Sequence, residues 1–216
     1  MTLHLMRYGS CSALRAVGTQ RGRGRALRAV PGLLHAQPCA TTNLFVPTLR
    51  RLALLCAWEN PEAADSFLTS SPVLEALTTP ARRAAHLRLQ PVHAKGRWNG
   101  IILSTEGVPP LRADEPMLAF VHGQLRPRYA LRFYRANVQV ARFAINRRGY
   151  LGAMGVAETP LRFASLSSWE SLADAQHYAY GPGEHQPVLR PYKEVPWASD
   201  WCVLRLRSLG PDQLLL

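Results

Sequence analysis

Acidic residues are scarce in this 216-residue chain: 14 Asp and Glu face 26 Lys and Arg, a formal charge of +12. The first 50 residues contain no Asp or Glu at all. Paired carboxylates for acid–base hydrolysis are correspondingly hard to find. The sequence has no HExxH pair for zinc, no nucleotide-binding glycine fingerprint between a strand and a helix, and no second Gly after Gly9-Ser10-Cys11 to make a nucleophile elbow. Cys11, Cys39, Cys56 and Cys202 are scattered, with no CxxC spacing, so neither a zinc site nor a redox dithiol is indicated. That usage suits a reducing, cytoplasmic compartment. No apolar run approaches the roughly 20 residues of a spanning helix.

What is present is an ordinary apolar fraction, 47%, and an excess of Arg over Lys. Arginine binds carboxylates and phosphates with a planar fork, although the same usage also follows from a GC-rich genome. The Arg-rich N-terminal stretch resembles an organellar transit peptide. Thr2–Tyr8, however, reads as a strand, so we expect a mature N-terminus.

The chain repeats itself. Arg51-Leu-Ala-Leu-Leu-Cys-Ala-Trp-Glu59 and Arg162-Phe-Ala-Ser-Leu-Ser-Ser-Trp-Glu170 align without a gap at an offset of 111 residues. Each window reads as a strand ending in Trp and followed by a helix. Asn60-Pro61 opens the first helix and Ser171 or Glu170 the second. Strand signals at Thr2–Tyr8 and Met117–Leu125 open the two halves. An extended Leu33–Ala40 and Leu151–Ala157 follow the basic segments, and His86–Val92 and Trp201–Arg207 close them. Each half therefore reads β, α, β, β, α, β. We expect an α+β protein of two ferredoxin-like βαββαβ repeats packed sheet to sheet, residues 1–95 and 117–216. The Gly- and Pro-rich segment 96–116 joins them, with Trp98 as either a packed anchor or a lid.

Most of the seven histidines fall on strands, where a structural role is the default. His177 lies on the helix of the second repeat. His185 follows the break at Gly181-Pro182-Gly183, which sets it at the start of a new segment. A neutral imidazole there suits a metal, haem iron above all. Among the arginines between 126 and 148, a solvated helix face accounts for most. One or two, with Arg126 and Arg142 as candidates, suit a carboxylate such as a haem propionate. No helix-turn-helix, RNP or KH signature accompanies them, which speaks against nucleic acid.

Gly155-Val-Ala-Glu-Thr-Pro160, Ala164-Ser-Leu-Ser-Ser-Trp169, His177-Tyr-Ala-Tyr180 and His185 together resemble the spheroidene monooxygenase family, the acyclic-carotenoid ketolases and their relatives. Gly96-Arg-Trp-Asn-Gly100 matches that family's Gly-x-Trp-x-Gly. Ala157 stands where Gly is usual, Ser167 replaces an aromatic, His177 replaces Phe, and Val121-His-Gly-Gln differs from the family's Thr-Arg-Ala-Thr. The resemblance implies a dimeric-α/β-barrel type of fold and haem b. It implies oxidation of an apolar substrate such as an acyclic carotenoid, with electrons from a donor such as a ferredoxin. His185 would then be the axial ligand, with His177 as runner-up and Cys202 as a thiolate alternative. Trp169 and Tyr180 would contact the cofactor. Peripheral membrane contact is a further expectation. Two other readings stand beside it. One is a cofactor-free enzyme or binder on the same barrel, with His122 or His177 as acid–base group. The other is a basic interaction protein for nucleic acid or an anionic membrane.

Overall fold

The computed structural model describes residues 1–10, 24–43, 46–181 and 197–210. The first half runs β1 (Thr2–Tyr8), α1 (Gly24–Arg28), β2 (Leu33–Asn43), β3 (Val46–Trp58), α2 (Pro61–Ser70), α3 (Pro72–Thr78) and β4 (Ala81–Gly96). The second runs β5 (Met117–Leu125), α4 (Pro127–Ile145), β6 (Tyr150–Thr159), β7 (Arg162–Trp169), α5 (Leu172–Tyr180) and β8 (Ala198–Ser208). Both halves are βαββαβ units, the first with one added short helix. Their strand orders correspond: β4-β1-β3-β2 in one and β8-β5-β7-β6 in the other.

The two sheets do more than face each other. β2 pairs with β6 and β4 with β8, so all eight strands close into one antiparallel barrel. Closure removes the open edges that each four-stranded unit would present alone.

Strand composition follows from this geometry. A strand between the barrel interior and a helix layer is buried on both faces, so it reads as a continuous apolar run rather than an alternation. In β3, Ala53, Leu55 and Ala57 face the interior, where they meet Leu3, Leu87, Leu118, Phe120, Leu166 and Leu204. Leu52, Leu54, Cys56 and Trp58 face α2 and α3, and pack against Phe67, Leu74 and Leu77. The barrel is thus a filled core.

Local chemistry sets the helix ends. Asn60 Oδ1 accepts from Ala63 N at 2.8 Å at the start of α2, and Ser171 Oγ accepts from Asp174 N at 3.0 Å at the start of α5. Ser71 closes α2 and caps α3, where Pro72 takes the first helical position. Before each repeat window the chain turns at a glycine with positive φ, Gly32 (68°) and Gly149 (71°). A Cβ at Gly32 would lie 2.5 Å from Ala63 Cβ, and one at Gly149 would lie 2.5 Å from Asp174 Oδ2. Both the left-handed backbone and the close helix require glycine there.

The segment between the halves is tied down. Arg207 donates to Glu115 Oε1 at 2.5 Å, to Gln90 Oε1 at 3.1 Å, and to the carbonyls of Pro109 and Pro110 at 3.3 Å. Trp98 is an anchor, fully buried in the barrel end, with its Nε1 donating to Gln37 Oε1 at 2.6 Å.

Candidate functional site

Two features meet at one end of the barrel. The first is a cavity of about 1340 Å³ along the β2–β6 seam, walled by α1 on one side and α4 on the other. That exceeds the roughly 300–1,000 Å³ of ordinary small-molecule pockets. Its floor on the outer face is made of Ala36, Pro38, Ala40, Ala153, Gly155 and Ala157. The seam strands carry mostly small residues here, with Thr42 beside them, which leaves the space open. Leu27, Leu34, Ile145 and Phe163 add apolar walls. Tyr134 on α4 donates its hydroxyl to the Pro160 carbonyl, fixing that helix to the β6–β7 turn. Arg28, Asn137 and Tyr150 are among its polar lining residues.

The second feature is a polar cluster on the interior face of the same barrel end. Alternation along β2 places His35, Gln37, Cys39 and Thr41 inward, and along β5 it places His122 and Gln124 inward. Arg162 donates to Gln124 Oε1 at 2.6 Å and to Glu158 Oε2 at 3.1 Å. His35 Nε2 meets Asn99 Nδ2 at 2.8 Å, and Gly100 N donates to Asp200 Oδ2 at 2.8 Å. His35 and Glu158 also line the cavity, which therefore reaches from the outer face to the barrel end.

His122 is fully buried, and neither ring nitrogen has a partner among the described residues. Burial pushes its pKa down to about 4, against the opposing pull of Asp200. It is neutral at pH 7, one nitrogen a donor and the other an acceptor. Asp200 Oδ1 and Gln37 Nε2 are likewise buried without partners. Such unpaired groups are costly, and they concentrate where a site is built.

The other expected site residues fall elsewhere. Trp169 is buried under α5, its ring 5.0 Å from Tyr178 and 5.2 Å from Tyr150, with Nε1 donating to Ser167 Oγ at 3.0 Å. His177 and Tyr180 lie on the exposed side of α5, and Arg126, just before α4, and Arg142, on it, are exposed. None of these, nor His122, lines the cavity. His185, the expected axial ligand, lies outside the described residues. Cys202 faces the barrel core with its thiol pushed up to about 12 by burial, which disfavours a thiolate ligand. Among the described residues no group of three His, Cys, Asp or Glu is placed to hold a metal ion. No described helix is long and apolar enough to cross a membrane.

Sequence reading missed His35, Gln37, Glu158, Arg162 and Asp200. The signal was the period-two run His35-Gln37-Cys39, polar in the midst of an apolar strand, but its partners come from four other strands.

Comparison with known proteins follows the same lines. No family model matches the chain. It is 25% identical to the spheroidene monooxygenase of Rhodobacter capsulatus over 168 residues, 77% of this chain and 70% of that one. Against the spheroidene monooxygenase of Rubrivivax gelatinosus it is 32% identical over 145 residues, 66% of this chain and 55% of that one. Against that of Cereibacter sphaeroides it is 23% identical over 160 residues, covering 49% of the relative. The chain thus spans about half the length of the latter two. Among solved structures, two aldoxime dehydratases share the fold. One, in complex with butyraldoxime, has a TM-score of 0.62 at 9% identity, covering 96% of this chain and 78% of that one; the other has 0.58 at 10%. Shared architecture with such low identity says nothing about chemistry. On the sequence comparisons, with the repeated ferredoxin-like barrel beneath them, the chain is similar to the spheroidene monooxygenases of three bacteria.

Proposed function

We propose that this protein is a haem-dependent oxidoreductase of the monooxygenase type, acting on an elongated apolar substrate such as an acyclic carotenoid. The observation that carries the reading is the cavity on the β2–β6 seam. It is large, mostly apolar, and floored by Ala, Gly and Pro, as a flat macrocycle or a polyene requires. A mostly apolar lining with Arg28 among its polar residues supports this reading of the cavity. Haem b would be held through His185, with Arg28 of the cavity wall available to a propionate carboxylate. Bound haem supplies the oxygen chemistry, while a separate donor such as a ferredoxin supplies the electrons.

The chain's own residues have defined tasks in this scheme. α1 and α4 wall the cavity on its two sides. The Ala and Gly floor orients a flat ligand by leaving one face open. Glu158, the acid lining the cavity, is held by Arg162 and so contributes little uncompensated negative charge to an apolar ligand.

A visible spectrum of the purified protein, before and after haem reconstitution, tests the proposal. We expect a Soret band that His185→Ala abolishes or greatly weakens while the far-UV circular dichroism stays intact. Full haem occupancy with an unchanged Soret band in that variant would move the ligand assignment to His177 or, within the cavity, to His35. Absence of a Soret band after reconstitution of the wild type would reject haem. It would favour the cofactor-free reading centred on His122.

A further inference from the structure

The cavity opens between two helices whose surfaces are alike. α4 runs 19 residues, and from Pro127 to Arg148 the chain contains no Asp or Glu. At helical spacing, Leu131, Arg135, Val138, Arg142 and Ile145 form one continuous stripe. Of these, Leu131 is 64% exposed and Ile145 63%, and both arginines are exposed. Ile145 is also a wall of the cavity, so the stripe runs beside the α4 face that lines it through Tyr134, Asn137 and Ala141. On the facing wall, α1 carries exposed Arg25 and Arg28, and Leu34 just beyond it is 48% exposed. Residues 24–43 likewise contain no acid. Of the seven large apolar side chains exposed among the described residues, two therefore sit on α4 and a third, Leu34, at the start of β2 beside this opening.

A water-facing helix does not need exposed Leu and Ile in line with its cations. A helix lying at a lipid interface does: the apolar side chains enter the boundary between headgroups and acyl chains, and the arginines meet lipid phosphates. Each cation near an anionic leaflet strengthens binding roughly fivefold, and the attraction is screened by salt. We propose that the α1–α4 rim docks this protein on an anionic phospholipid bilayer, with the cavity mouth facing the membrane. An apolar substrate then passes from bilayer to cavity without crossing water. Docking rests on the rim alone; the delivery step rests on the apolar-substrate reading above.

Flotation of the full chain with phosphatidylglycerol-containing and pure phosphatidylcholine vesicles tests the docking without haem, substrate or turnover. We expect binding at least about tenfold stronger to the anionic vesicles, declining with salt. Arg135→Glu with Arg142→Glu should weaken it at least about tenfold, and Leu131→Ser several-fold, with circular dichroism unchanged. Arg82→Glu with Arg83→Glu, the same change of charge on exposed residues of β4, should lose much less. Equal loss in the two double variants would reduce the effect to net charge and overturn the proposal, as would equal binding to both vesicle types. Tighter binding to duplex RNA or DNA, abolished by the α4 variant, would reassign the rim to nucleic acid. A protein that docks on vesicles yet shows no Soret band would sink the haem reading and leave the docking intact.

Discussion

Trp58 packs on Phe67 with ring centroids 5.0 Å apart, and its counterpart Trp169 packs on Tyr178 at the same separation. Each Trp ends the third strand of its βαββαβ unit and sits under that unit's second helix. The caps Asn60 and Ser171 stand at the same offset of 111 residues, as do Ala63 and Asp174, which crowd Gly32 and Gly149. Glu59 N donates to Gly32 O and Glu170 N to Gly149 O, at 2.9 and 2.7 Å. The repeat is thus one of packing and hydrogen bonding as well as of letters.

Truncating either Trp should therefore have a similar cost. Trp58→Ala and Trp169→Ala each remove a buried indole from between sheet and helix, for an expected loss of about 3–5 kcal/mol. Equilibrium denaturation in urea measures it. A loss below about 1 kcal/mol in either variant would show that the second helix of that unit is not anchored through its Trp.

The paired glycines give a second test. Gly32→Ala and Gly149→Ala put a Cβ on left-handed backbone and against a neighbouring helix. Both should destabilise by more than about 1 kcal/mol, although alanine normally stabilises by reducing the entropy of the unfolded chain. Gly100→Ala provides the contrast. It has a φ of 83° but no neighbour within 4 Å of a Cβ, so strain acts alone and the loss should be smaller.

Acid should destabilise the protein well above the range where carboxylates titrate. His4 is buried, and its Nδ1 lies 2.9 Å from His86 Nδ1 while its Nε2 lies 2.9 Å from Thr2 Oγ1. Burial first, then the neighbouring His86, pushes its pKa down to about 3; burial pushes His122 down to about 4. An unfolded His takes its proton near pH 6.5. Between that value and the folded pKa the unfolded state binds more protons, so stability rises with pH in this window. The contribution is complete above about pH 6.5 and is lost progressively as pH falls towards 4 and 3. Thermal melts from pH 8 to 4 should show a decline beginning near pH 6.5. His122→Leu should flatten part of it at little cost at pH 7, since it removes buried polar atoms that lack partners. An acid limb unchanged in His122→Leu would remove that residue from the account.

Arg207→Ala should release the segment 97–116 rather than unfold the barrel. Arg207 holds Glu115 and two proline carbonyls, and the pair keeps the Glu115 carboxyl below its usual range through their hydrogen bond. Limited proteolysis is the readout: cleavage within 104–114 should accelerate in the variant, with little change in circular dichroism. Unaltered cleavage would mean that Trp98 and the backbone hydrogen bonds from Leu172 and Ala173 to Glu115 and Ala113 suffice to fix the connection.

Sequence alone determined the unit and its duplication. Local signals suffice for that: periodicity sets strand and helix, Asn60-Pro61 and Ser171 start helices, and a gapless match carries the relation between halves. The family likeness was legible for the same reason, being written in short contiguous motifs from Gly155 to Tyr180. Tertiary structure alone decided where chemistry gathers. Barrel closure through β2–β6 and β4–β8 is a matter of edge pairing between strands more than 100 residues apart, and it brings His35 and Gln37 to one end with His122, Glu158, Arg162 and Asp200. It also turns the small residues of β2 and β6 into a cavity floor, because an Ala or Gly leaves space only when helices stand beside it. His122 looked like a strand residue with acid–base potential. Its burial, its neutral ring and its lack of partners come from neighbours on β7 and β8, which the order of residues along the chain does not reveal.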